Sequence, residues 1–398
     1  MTQLLLAAAC IAGCSGSPVE EGAQGVTTEA SQAPPAKIIA LSGGVGWNTI
    51  PVALSSDDGS FTVTNNVVLD FPAYAQQQGA KLLAGDFNHD GKPDLALTGG
   101  FSSPGVPWGS VPVALATGIG TFSVTNSPVP NNFATFATQS GAKPITGDFN
   151  GDKFTDIALT GGFQPSGAPW GSVPVAFSNG NGTFNVQNLP VPNNFGTLAT
   201  QSGAKPVTGD FNGDGRSDIA LTGGFQPSGV PWGSVPVAFS NGDGTFNVQN
   251  LAVPNDFGTF ATQSGAKPVS GDFDGDGRGD IALTGGFQSP GVPWSSVPVA
   301  YSNGDGSFRV TNAAVPNNFG TFATQSGAKP VFGDFNHDGR SDIALTGGFS
   351  SPGVPWGSVP VAFATASGNG TFTVTNTPVP NSFGTFATQS GAQAVGTL

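Results

Sequence analysis

GDFNGDGRSDIALTGG, residues Gly209 to Gly224, is the stretch whose reading decides the fold. An acidic loop lies between two short apolar runs, and a glycine pair closes the second. The same stretch returns with its first aspartate at Asp86, Asp148, Asp210, Asp272 and Asp334, a strict period of 62 residues. Tryptophan keeps that beat at Trp108, Trp170, Trp232, Trp294 and Trp356, with Trp47 as an earlier member. A period of this length means that one supersecondary unit is stacked or arrayed.

Working outward from the loop, Pro206 to Gly209 leads into it and Asp218 to Thr222 leaves it, both strand-like. After a Gly/Pro/Ser loop carrying Trp232, Ser234 to Ser240 alternates, with Val235, Val237 and Phe239 on one face. Asn241-Gly-Asp-Gly244 is a hairpin signal, and Thr245 to Gln249 alternates again. The unit therefore holds four short strands and no helical periodicity. Pro236 and its equivalents Pro51, Pro112, Pro174, Pro298 and Pro360 fall inside the third strand, where proline calls for the strand's beginning or a bulge.

Four-stranded units repeated radially are β-propeller blades. Lys37 to Gly44 matches the unit's second strand, and Gly391 to Leu398 matches its first. The expected fold is all-β: a six-bladed β-propeller of four-stranded antiparallel blades, five continuous and the sixth closed by pairing of the N- and C-terminal strands. Such closure removes free sheet edges. Strand parity puts the acidic loops and the NGDG turns at one end of the ring. The tryptophan loops and the long Pro-Asn-Asn-Phe-Gly connections lie at the other.

Charged residues make up 9% of the 398, and the formal charge is −13. Sixteen of the 25 acids sit in the five repeated loops, so the acidity belongs to those loops. No basic patch suits a phosphate backbone, and nucleic acid is excluded as an expected partner. The 2 cysteines, Cys10 and Cys14, both lie near the N-terminus and leave the repeats without a disulfide. Residues 1–14 read as a signal peptide, since the apolar run from Leu4 to Ala12 is too short to span a bilayer. Ile-Ala-Gly-Cys14 resembles the lipobox of bacterial lipoproteins, which implies lipidation at Cys14 and a place on the outer membrane or cell surface. Ordinary cleavage and secretion is the alternative. Residues 15–36 read as a flexible tether, and 37–398 as the propeller.

Each acidic loop offers oxygen at positions one, three, five and nine, with a backbone carbonyl at seven and glycine at six for the bend. That is how a turn wraps a hard cation, and an all-oxygen set favours calcium. The candidate ligands are Asp86, Asn88, Asp90, Lys92 and Asp94; Asp148, Asn150, Asp152, Phe154 and Asp156; Asp210, Asn212, Asp214, Arg216 and Asp218; Asp272, Asp274, Asp276, Arg278 and Asp280; and Asp334, Asn336, Asp338, Arg340 and Asp342. Up to five Ca²⁺ are expected. The second loop departs by carrying Lys153 at the glycine position and is expected to be the weakest site. His89 and His337, at position four, read as exposed loop residues.

GDFNGDGRSDIAL with NGDGTF resembles the FG-GAP/VCBS repeats of integrin-like β-propellers, as do Phe257-Gly258 and Gly265-Ala-Lys-Pro268. The likeness covers roughly residues 36 to 398 and implies a calcium-binding propeller. The repeats are also similar to those of Psathyrella-type propeller lectins, which have seven blades and bind N-acetylglucosamine. The pocket residues of those lectins do not align here, so that sugar is not carried over.

No catalytic triad, carboxylate pair outside the calcium loops or P-loop is present, and no enzyme activity is expected. The expected function is multivalent binding, lectin-like first, with an integrin-like adhesion scaffold or an accessory propeller without its own ligand as alternatives. Glycans or surface proteins are the expected partners, met by a monomer that touches membrane only through its lipid. The six tryptophans are candidate sugar platforms, with packing between blades as their competing role.

Overall fold

In the computed structural model, residues 37–288, 290–350 and 353–396 are described. The signal peptide, the lipidation site Cys14 and the tether fall outside the described residues. The period of 62 becomes six four-stranded antiparallel sheets, five of them in sequence order from the axis outward and the sixth with the chain's last strand innermost, ahead of its first three. One blade runs Lys205–Gly209, Asp218–Thr222, Ser234–Ser240 and Phe246–Ala252. The first strands of neighbouring blades flank one another and line a central channel. The closing blade pairs Ile38–Ser42 with Gln393–Gly396, Ile39 opposite Gly396 and Ser42 opposite Gln393. The termini therefore share one sheet.

Burial explains the strands. The second strand is buried along its whole length and the third nearly so, because each blade is covered on both faces by its neighbours. Only the outer strand alternates, with Phe246 and Val248 buried and Asn247 exposed. Pro236 needs no bulge. It stands opposite Asn250 in regular register with the fourth strand, whereas the ladder to the second strand pairs only Val237 and Ala238. The missing N–H therefore lies one residue beyond the inner ladder.

One element differs from the expectation of an irregular connection. Each long link between blades holds a short helix, such as Phe195–Thr200 and Phe257–Thr262. Six residues are too few to show a 3.6-residue period. The entrance is made by two successive left-handed residues, Asn193 at φ 54° and Asn194 at φ 57°, a conformation asparagine tolerates better than most side chains. The Asn193 amide then donates to the Val248 carbonyl of the next blade at 2.8 Å, tying the link outward. Phe195, the first helical residue, is fully buried.

Candidate functional site: the acidic loops

Each loop is anchored by a phenylalanine at position two: Phe87, Phe149, Phe211, Phe273 and Phe335 are all buried. Phe211 meets Phe308 of the next blade edge-on, with centroids 6.0 Å apart. From that anchor the chain turns back on its first aspartate. In the third loop Asp210 Oδ1 accepts from the N–H of Gly213 and Asp214, and Oδ2 from Gly215 at 2.8 Å. Gly215 has φ 82°, where the equivalent Lys153 is held at φ 74°. The second loop keeps the same contact, Lys153 N–H to Asp148 Oδ2 at 2.8 Å, with a side chain in the left-handed region.

The loops are joined in series. The Asp148 carbonyl accepts from Ser217 N–H of the next blade at 2.6 Å, Asp210 from Gly279 at 2.7 Å, and Asp272 from Ser341 at 2.7 Å. Asp86 and Thr155 make the same link at 2.9 Å. Position eight of one loop thus steadies position one of the loop before it.

The predicted ligands divide into two groups. Positions one, three and five converge: Asp272, Asp274 and Asp276 bring carboxylate oxygens within 4.8 Å of one another. Position nine does a different job. Asp218 is fully buried, its Oδ2 accepting from Phe211 N–H and its Oδ1 from Ser240 N–H, both at 2.9 Å. It braces the loop against the third strand, and Asp94, Asp156, Asp280 and Asp342 repeat the arrangement. Burial pushes these carboxyls up, to about 7 for Asp94 and about 8 for the other four. At position seven Arg216 donates to Asp214 Oδ2 and to the Ser240 carbonyl, so its side chain has a role beside that of its backbone carbonyl. Arg278 and Arg340 repeat these contacts, and Lys92 pairs with Asp90. Phe154 cannot.

The fourth loop carries one extra carboxylate, Asp274 in place of asparagine. Burial, then the charges of Asp276 and Asp272, push its carboxyl up. Arg309, which lies 4.1 Å over the Tyr301 ring, reaches Asp274 Oδ2 at 3.3 Å, while Oδ1 is buried without a partner. An orphaned buried carboxylate oxygen in an all-oxygen cluster fits a hard cation. Of the two histidines, His89 is exposed as expected, whereas His337 is half-buried and meets Asp57 Oδ1 at 2.7 Å.

The tryptophans are where the structure corrects the sugar-platform reading. All six are 2–9% exposed. The Trp232 indole N–H donates to Gln201 Oε1 at 2.7 Å, and each of the others has its own glutamine partner. Trp294 meets Phe260 edge-on at 5.6 Å. Gly224 lies so close to the Trp232 ring that a Cβ there would fall 2.2 Å from it. An indole with its face and N–H both engaged packs blades and leaves no platform for a sugar. Five of the glutamines, Gln77, Gln139, Gln201, Gln263 and Gln325, share the 62-residue period, which was the signal available for finding this pair in the sequence.

Residues 148–221 match the family model of the FG-GAP-like repeat, a stretch that runs from the second acidic loop to the second strand after the third. The matched stretch holds one period of the unit that recurs around the ring, and the fold is a six-bladed β-propeller. No curated protein matches the chain. Among solved structures, a chain of the Photorhabdus luminescens Tc holotoxin pore is similar at 16% identity and a TM-score of 0.41, over 83% of this chain. The aligned part spans 14% of that toxin chain.

Proposed function

We propose that this protein is a calcium-loaded, non-enzymatic binding propeller displayed at a bacterial surface or secreted, with carbohydrate as its first ligand class. The observation that carries the calcium reading is the converging oxygen set of positions one, three and five, with Asp274 Oδ1 buried and unpartnered. Bound calcium would be held by those oxygens and the position-seven carbonyls, and it would neutralise the charge each loop concentrates. The loops being linked in series, filling them stiffens one end of the ring.

The carbohydrate reading rests on a cleft beside the outer edge of one blade, not on the tryptophans. Asn131, Asn150, Asn185 and Gln187 line it with Phe177 and Asp243, in a volume of about 620 Å³. The Asn131 and Asn185 amide N–H groups are spent within the protein, and Asn150 belongs to the second acidic loop. A neutral sugar would therefore meet the Asn131 and Asn185 oxygens and the Gln187 amide beside Phe177. Equivalents recur 62 residues on at Asn193, Asn247, Gln249 and Phe239. Weak sites repeated on one rigid body gain from avidity. One observation favours the protein-binding alternative: Val106, Val230, Val292 and Val354 are more than half exposed in the tryptophan loops.

A glycan array on the calcium-loaded protein tests the reading, followed by titration of a binding sugar into parent and Gln187→Ala. Discrete sugar hits with several sites per chain are expected, one of them lost in the variant. An array without hits, with binding to a surface protein through the valine tips, would transfer the function to the adhesion scaffold.

A further inference from the structure

The innermost strands of the blades are close copies, and their fourth residue is where one of them breaks the pattern. Around the ring that position reads Ala84, Thr146, Thr208, Ser270, Phe332 and Gly396. Five are small and one is a bulky aromatic. Where it is threonine, the position latches a blade to the one before it. Thr146 Oγ1 donates to the Ala84 carbonyl at 2.9 Å, and Thr208 Oγ1 to the Thr146 carbonyl at 2.7 Å. Phenylalanine has no such donor, so Phe332 forgoes the latch. It is half-buried and packs against the apolar core between the fourth and fifth blades. Gly396 beside it has no room for a side chain, since a Cβ there would fall 2.5 Å from the Phe332 carbonyl.

This layer of residues divides the central channel. Toward the tryptophan end lies a cavity of about 260 Å³ lined by all six innermost strands. Toward the acidic loops lies a larger one of about 410 Å³, and Phe332 lines both. Three successive blades supply one side of the larger cavity, through Ala84, Thr146 and Thr208 with Thr155 and Ser217 above them. Phe332 and Gly396 supply the other side. The charged groups at the rim are already engaged. Asp86 Oδ2 accepts from Gly91 N–H, Asp148 Oδ2 from Lys153 and Asp210 Oδ2 from Gly215, while Lys92 pairs with Asp90. Thr155 Oγ1 accepts from the Asp86 N–H at 3.0 Å, which leaves its own O–H as a donor.

We propose that the larger cavity binds one small uncharged ring compound, an aromatic alcohol of the phenol class, with its ring against Phe332 and its polar edge among the rim hydroxyls. The volume lies in the range of small-molecule sites, which are mostly apolar with a few placed polar groups. Aromatic rings attract one another edge-to-face or offset, beyond the area they bury. An ion would lose its water here without gaining a free partner charge. Sixfold repetition broken at one residue makes one site per chain. The proposal is independent of the sugar reading, which concerns the outer edges of the blades.

The test titrates phenol into the calcium-loaded full chain, with benzoate and benzylamine as charged ring probes. One saturable phenol site per chain is expected, with both charged probes weaker. Phe332→Thr installs the residue of the second and third blades, so the ring should stay folded while phenol binding weakens about tenfold or more. Ala84→Phe leaves Phe332 in place, takes up space from the first blade, and should abolish binding. A soak with 4-bromophenol should place the anomalous bromine signal in the cavity beside Phe332, a readout that needs no variant. Absence of saturable phenol binding in the parent overturns the proposal, as does a bromine signal only elsewhere. Unchanged affinity in both variants when both melt cooperatively overturns it too, and tighter binding of either charged probe overturns the uncharged class.

Discussion

The acidic end and the tryptophan end of the ring are written by the same 62-residue unit, yet their most conspicuous side chains differ in whether assembly pairs them. At the tryptophan end the obvious binding residues are already satisfied: indole N–H on glutamine, indole face on glycine and phenylalanine. At the acidic end positions one, three and five gather negative oxygen, and in the fourth loop one buried oxygen has no partner. Regular recurrence marks both ends equally. What separates a packing device from a binding device is whether its polar atoms are paired once the blades are assembled.

The largest effect expected from this contrast is at the acidic end. Removing calcium should lower stability steeply, since each occupied site adds RT ln(1 + [L]/Kd), about 2.7 kcal/mol at a hundredfold excess of ligand over Kd. Thermal melts with and without chelator measure it, and an unchanged midpoint would end the metal reading. At the other end, Trp232→Ala should cost about 3–5 kcal/mol, the range for emptying a large aromatic from a packed core. Calcium stoichiometry should be unaltered in that variant. A variant that melts with the parent but loses a ligand site would restore the platform role to tryptophan.

A third outcome concerns the braces at position nine. Their carboxyls titrate near 7 to 8 in the folded protein, above the ordinary carboxylate value of the unfolded chain. Between about pH 4 and pH 8 the folded state holds protons the unfolded state has released, so the stability of calcium-free protein falls as pH rises. Urea midpoints of stripped protein at pH 5 and pH 8 measure the slope. Stability rising with pH would mean that the backbone amides outweigh burial. The smallest effect is Lys153→Gly, which should relieve about 1 kcal/mol of left-handed backbone strain and tighten calcium at the second loop. Equal calcium occupancy at all five loops in the parent would show that the strain does not reach the ligands.

Several features are legible in the sequence alone. The period, the turn chemistry and the complementary terminal fragments specify blades, their number and their closure, because strand pairing is local and the missing strand had only one match. Strand parity also assigned the acidic loops and the tryptophan loops to opposite ends. Other features were not legible for physical reasons. The Phe195–Thr200 helix is too short to carry a period, and its asparagine entrance reads as an ordinary turn. Asp218 looks like a fourth ligand until Phe211 and Ser240 N–H are brought onto it from separate segments.

The sequence by itself determined what recurs: one unit, its strands, its acidic turn and the way the last strand finds the first. Only the tertiary structure decided which recurring residues are spent on the fold. Trp232 meets Gln201 from 31 residues away, and Lys205 meets the Ala266 carbonyl of the next blade. Burial and hydrogen-bond pairing are properties of assembled neighbours, and no single copy of the repeat contains its neighbour.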